Sequence, residues 1–167
     1  MTKSATDILK EAILLERRGQ AFYSMAARNT QSEAAKKIFT MMAEEESEHI
    51  EFLSKQFAIF QKTNEFLEND QHVEDPNEEI AMKVLSDEIK KQISAAGFEA
   101  AAISAAMDFE TRAVQIYTER AEQAIDVNEK KMYQMLADWE KGHHKWLHKI
   151  NEELKEQIWY DNNFWPF

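Results

Sequence analysis

The sequence contains two Glu-x-x-His motifs, Glu46-Ser47-Glu48-His49 and Glu140-Lys141-Gly142-His143. On a helix, residues i and i+3 lie about 60° apart on one face, so a carboxylate and an imidazole at this spacing can converge on one metal ion. Each motif sits in an apolar stripe. Met42 and Leu53 stand four residues to either side of the first, and Leu136 and Leu147 to either side of the second. Two further glutamates fall on apolar stripes: Glu16 between Ile13 and Phe22, and Glu110 between Ala106 and Ala113. Each stands 30 residues before the glutamate of the following Glu-x-x-His, and each precedes a tyrosine by seven, Tyr23 and Tyr117. One Glu from each of two helices plus a Glu-x-x-His from each of two others is the donor set of a di-iron or di-manganese carboxylate bundle. Two divalent ions would balance its four negative charges; without cations, four buried carboxylates could not all stay ionised. Oxygen donors with one imidazole per metal suit Fe, Mn or Zn.

A single Glu-x-x-His carries little weight in so glutamate-rich a chain. Glu44, Glu45, Glu48 and Glu51 read as solvated neighbours on the polar face, and a lone Glu in an apolar stripe can be a mis-phased surface residue. Repetition is what carries the argument. Shifting the chain by 94 residues aligns Ala12–Leu53 with Ala106–Leu147 without a gap, and twelve of the 42 positions are identical. Those identities pair Glu16 with Glu110, Tyr23 with Tyr117, Glu46 with Glu140 and His49 with His143. The tyrosines fit two roles equally, as hydrogen-bond donors to carboxylates across the bundle or as core phenols. His72 falls in a loop and reads as solvated. His144 and His148 fall on faces beside His143, where surface or supporting roles suit them better than ligation.

To hold these residues the chain needs four helices, read as two copies of one hairpin. The apolar periodicity predicts the first over Thr6–Arg28, broken at Asn29-Thr30-Gln31-Ser32 with Ser32 as N-cap. The second runs over Glu33–Gln61; so short a break makes the pair antiparallel. A third is centred on Ala100–Gln123, and a fourth follows Asp126-Val127-Asn128 over Glu129–Gln157. The connection Lys62–Gly97 is long, and Asp75-Pro76 within it signals a short helix over about Asn77–Ile93. A long crossover between helices 2 and 3 is the ferritin-like connectivity. The expectation is therefore an all-α, ferritin-like four-helix bundle over 1–158, followed by a non-helical aromatic tail over 159–167. That tail is expected to pack on the bundle or on a partner subunit.

Composition agrees and excludes alternatives. The 167 residues include only three glycines and two prolines, leaving little turn chemistry for a β fold. The absence of cysteine excludes disulfides, thiol nucleophiles and cysteine-ligated iron–sulfur or zinc sites. A formal net charge of −11 disfavours nucleic acid and anionic membranes as partners. No apolar run approaches a membrane span and no signal-peptide core is present, so a cytoplasmic location is expected.

At Glu16…Tyr23…Glu46-x-x-His49 and Glu110…Tyr117…Glu140-x-x-His143 the chain resembles the rubrerythrin and ferritin-like superfamily, over Thr6 to about Leu154. The resemblance implies two iron ions bridged by Glu46 and Glu140, with Glu16 and His49 completing one metal's shell and Glu110 and His143 the other's. It also implies an oxidoreductase in which Fe(II) reacts with H₂O₂ or O₂, with a homodimer as the expected assembly. Two features depart from the pattern. Rubrerythrins usually carry a cysteine-ligated rubredoxin module, which this sequence lacks, so an external electron-donor protein is implied. They also carry an extra glutamate one turn before the helix-3 ligand, where this chain has Met107. The six-residue set is closer to a bacterioferritin-type site, and non-catalytic iron binding is the alternative reading.

Overall fold

In a computed structural model the described residues are 4–68, 88, 91–92 and 97–161, with side chains described to Glu156. Four long helices dominate them: α1, Ala5–Asn29; α2, Glu33–Thr63; α3, Phe98–Gln123; and α4, Val127–Asp161. α1, α2 and α4 begin where short polar side chains meet the first free amides, whereas α3 follows Gly97 without a side-chain cap. Ser4 Oγ accepts from Asp7 N at 3.2 Å, Ser32 Oγ accepts from Ala35 N at 3.1 Å, and Asp126 Oδ1 accepts from Asn128 N and Glu129 N at 2.9 and 2.8 Å. Each such cap is worth about 1 kcal/mol. α2 ends on Asn64 at φ 60°, a left-handed conformation that asparagine tolerates better than most residues.

The apolar side chains form two clusters, one toward each end of the bundle. The first joins the end of α1 (Tyr23, Ala26) and the start of α2 (Ile38, Phe39, Met42) to the start of α3 (Ile103, Ala106) and the end of α4 (Leu147, Ile150). The second joins the start of α1 (Leu9, Ala12) and the end of α2 (Leu53) to the end of α3 (Ala113, Tyr117) and the start of α4 (Met132, Leu136). Sharing ends in this way makes α1–α2 and α3–α4 antiparallel hairpins and leaves α2 parallel to α3. The crossover must then travel the length of the bundle, as the all-α ferritin-like reading requires. Small residues at seven-residue intervals, Ala12, Gly19 and Ala26 on α1 and Ala106 and Ala113 on α3, are buried where those two helices approach each other.

Gln92 of the crossover and Glu99 in the first turn of α3 also tie the bundle's end together. Gln92 Oε1 accepts from Ser32 Oγ and Ala34 N, at 3.0 and 3.2 Å, while Glu99 Oε1 accepts from Thr30 Oγ1 and Gln31 N, at 2.6 and 3.1 Å. The short helix expected over 77–93 lies almost wholly outside the described residues. At the C-terminus the structure corrects the expected break: α4 continues to Asp161, three residues into the aromatic tail. No glycine or proline lies between Gly142 and Pro166, so no helix-breaking residue stops the helix at the expected boundary. Residues 162–167 lie outside the described set. No helix among the described residues is long and apolar enough to cross a membrane.

Gly142 lies exposed within α4, and a Cβ built there meets nothing within 4 Å. Gly142→Ala should stabilise the protein by about 0.5–1 kcal/mol through the backbone entropy that glycine loses in a helix. Thermal unfolding of the metal-free protein would measure this, and a lowered midpoint would contradict it.

Candidate metal centre

Between the two apolar clusters lies a polar layer. Glu16 on α1, Glu46 and His49 on α2, Glu110 on α3 and Glu140 on α4 are all buried, and His143 on α4 is nearly so. These are the six residues that the repeated spacing singled out, and the structure brings them together. Their donor atoms form two overlapping groups, Glu16, Glu46, His49 and Glu140, and Glu46, Glu110, Glu140 and His143. Within each group the atoms lie within 4.8 Å of one another. Glu46 and Glu140 belong to both groups. His49 directs Nδ1 inward, 3.1 Å from Glu16 Oε2 and 3.2 Å from Glu140 Oε1. His143 does the same, with Nδ1 3.2 Å from Glu140 Oε2 and 3.7 Å from Glu110 Oε1.

The two tyrosines act across the bundle. Tyr23 on α1 donates its hydroxyl to Glu110 Oε1 on α3, and Tyr117 on α3 donates to Glu16 Oε1 on α1. The exchange is reciprocal, as duplication would produce. Each phenol satisfies one oxygen of a carboxylate and orients the other. Behind Tyr23 stacks Phe39, and behind Tyr117 stacks Tyr133, at centroid distances of 6.4 and 6.1 Å. Position 133 is the repeat partner of position 39.

Three residues that pattern alone did not assign to the site complete it. Glu45 was expected to be a solvated neighbour. It is half-buried instead, and its Oε2 lies 2.6 Å from His143 Nε2; Glu44, Glu48 and Glu51 are exposed as expected. Trp139 lies flat against His49, with centroids 4.7 Å apart and planes 10° apart. Gly19 leaves room for Glu46: a Cβ there would stand 2.9 Å from Glu46 Cδ and Oε1 and from Phe109 Cε1. His144 is half-buried and His148 exposed, both outside the cluster. His72 lies outside the described residues. Met107, one turn before Glu110, packs against the first apolar cluster.

The charges in this layer strain against one another. Burial, with the charge of Glu140, pushes Glu16 up to about 8. Burial likewise pushes Glu110 up to about 7, opposed by contact with His143 and reinforced by Glu140. Glu46 is raised by burial and then by Glu140 and Glu16. Glu140 is the exception. Burial acts to raise it, but contacts with His143 and His49 hold it below the usual carboxylate range. Burial opposes charge on His143, yet Glu110, Glu140 and Glu45 together push that imidazole well above its ordinary value.

Close as some of these carboxylates and imidazoles lie, several of their atoms make no well-formed hydrogen bond. Both oxygens of Glu46 and of Glu140, Oε2 of Glu110 and Nδ1 of His143 are buried without a hydrogen bond among the described residues. Leaving a buried polar atom unsatisfied costs about 1–3 kcal/mol, more for a charged group. Cations seated among these oxygens would satisfy them and relieve the repulsion together. The residues present thus fit a metal such as iron.

The raised acids set a pH dependence for the metal-free protein. A carboxyl whose folded pKa exceeds its unfolded value stabilises the fold fully below the unfolded value and stops doing so as pH rises through the folded one. For Glu16 and Glu110 that window runs from about 4.5 up to about 8 and about 7. The raised His143 acts in the same direction above its ordinary value of 6.5. The low value of Glu140 matters only below this window. In chelator, the unfolding midpoint should therefore fall between pH 5 and pH 8, and a flat or rising midpoint would contradict the assignment. Gly19→Ala, in turn, should displace the Glu46 carboxylate and weaken metal binding at least tenfold, on the scale seen when groups supporting ligands are disturbed. Calorimetric titration would check this; unchanged affinity would mean that the carboxylate has room elsewhere.

Neither a curated protein nor a solved structure matches the chain significantly. The model of one family, described as Rubrerythrin, matches residues 7–150, which span all four helices and all six candidate ligands. On that match, and with the bundle and carboxylate layer described above, the chain belongs to the rubrerythrin family.

Proposed function

We propose that the protein holds two iron ions and acts as an oxidoreductase, oxidising Fe(II) with H₂O₂ or O₂ and drawing its electrons from an external donor. The observation that carries this reading is the overlap of the two donor groups through Glu46 and Glu140. Two shared carboxylates suit a pair of metals held side by side, whereas a single structural ion would need only one group. In this reading Glu46 and Glu140 would be shared by both ions, Glu16 and His49 would help hold one, and Glu110 and His143 the other. Mn or Zn would fit the same donors, but Zn has no redox chemistry to offer.

A bound iron pair would supply two electrons to H₂O₂, which takes up two protons and leaves as two waters. The chain's own residues set the conditions for that chemistry. The four carboxylates neutralise the divalent ions and stabilise the higher ferric charge. Tyr117 and Tyr23 hold Glu16 and Glu110 by one oxygen each, leaving the other free to ligate. Metal binding displaces the protons that Glu16, Glu110 and His143 hold near neutral pH, so loading is tighter at higher pH. The apolar clusters on both sides limit water around the layer. With no cysteine in these 167 residues, reducing equivalents must come from outside them.

Iron binding without turnover is the alternative. Met107 favours it, because an apolar thioether stands where the resemblance expects an additional carboxylate. Anaerobic loading with Fe(II), followed by H₂O₂ or O₂, separates the readings. About two irons per chain and ferric absorption in the near ultraviolet are expected, both lost in Glu46→Ala. Repeated cycles with an added reductant mark an enzyme, and a single oxidation marks a binder. Failure to take up two metals would overturn both.

A further inference from the structure

The internal repeat makes the two halves of the centre nearly equivalent, and it breaks where a side chain backs each histidine. Position 45 precedes the first Glu-x-x-His glutamate, and position 139 precedes the second. The bundle carries each across to the other half's histidine: Glu45 to His143, and Trp139 to His49. At His143 the outer nitrogen, Nε2, meets a carboxylate oxygen at 2.6 Å while Nδ1 faces the centre. At His49 the ring instead lies against an indole, which offers a π face and an N–H but no acceptor. The polar contacts of His49 among the described residues are all made by Nδ1, to Glu16, Glu46 and Glu140.

A carboxylate behind a ligating imidazole fixes its tautomer and orientation and strengthens its inner nitrogen as a donor. It also adds a negative charge beside one metal position only. We infer that the two metal positions are unequal. The Glu110/His143 position, backed by Glu45, binds the first divalent ion, and the Glu16/His49 position, backed by Trp139, binds the second more weakly. Loss of such a supporting partner typically changes metal affinity about 10–100-fold, which sets the expected gap between the two steps.

This inference rests on the two-metal reading, and its test distinguishes the two. Apoprotein is titrated anaerobically with Co(II), following heat and the visible Co(II) spectrum. The expected result is two binding steps at least tenfold apart. Glu45→Gln should weaken the first step about tenfold or more and bring the two together, while its far-ultraviolet dichroism stays native. Two equal steps, or a first step left unchanged by Glu45→Gln, would overturn the ordering and leave the two-metal reading intact. Binding of fewer than two ions would overturn both. The two-step titration itself uses the unaltered chain, so the test holds even where a variant fails to fold.

Discussion

Four glutamates at the middle of a helical bundle set the terms for everything around them. Each carboxylate is buried, each feels the others' charge, and most of their oxygens find no hydrogen-bond donor. Left to themselves they must take up protons, as the raised values of Glu16, Glu46 and Glu110 record. A core of such groups is a poor way to stabilise a protein, since a buried charge set seldom repays its desolvation. The fold carries it because the stabilising burial lies elsewhere. Leu9, Leu53, Met132 and Leu136 at one end, and Ile38, Phe39, Met42 and Leu147 at the other, are fully or almost fully shielded from solvent. Each such side chain contributes about 1.5–3 kcal/mol. The polar layer is thus suspended between two conventional cores, where repulsion can be kept as an affinity for cations.

Duplication explains why the layer is so well ordered. Two copies of a hairpin related by a near-twofold place each α1-type glutamate opposite the other copy's tyrosine. One helical register then satisfies both carboxylates, through Tyr23 to Glu110 and Tyr117 to Glu16. Where the copies have diverged, they have done so around the same layer. Gly19 faces Glu46 while its partner position is Ala113, Phe39 has become Tyr133, and Glu45 has become Trp139. The first exchange concerns space, the second a buried phenol, and the third the charge behind a ligand. Ligand identities have stayed fixed while their surroundings have changed.

That division also governs what could be read from the residues alone. The clustering of Glu16, Glu46, His49, Glu110, Glu140 and His143 was legible because a metal site would demand a residue type at a fixed helical phase, and the repeat states that demand twice. The four helices and the long crossover followed from the same periodicity. Glu45 was not legible: helical phase alone puts it on the flank of α2, and only the approach of α4 turns that flank toward His143. Trp139 counted as one more apolar residue in a stripe until its ring was seen against His49. The tyrosines stood between two roles because a hydroxyl seven residues from a carboxylate on its own helix says nothing about the carboxylate on the next. Such contacts belong to pairs of helices, and a pattern along one helix cannot contain them.

Met107 shows how the same logic limits the chemistry. A carboxylate at that position would add a fifth negative charge and a further oxygen donor to the layer, giving a metal somewhere to move as its oxidation state changes. Methionine packs instead against the first apolar cluster, extending it to the edge of the centre. In the proposed reading, four carboxylates and two imidazoles would then form a closed set for two divalent ions. A rise in metal charge would have to be met by those same residues, with Glu16 and Glu110 each held by a tyrosine at one oxygen. The tyrosine hydrogen bonds would then do more than orient the two carboxylates. They would set how far each can turn, and so how much of a change in charge the protein could absorb.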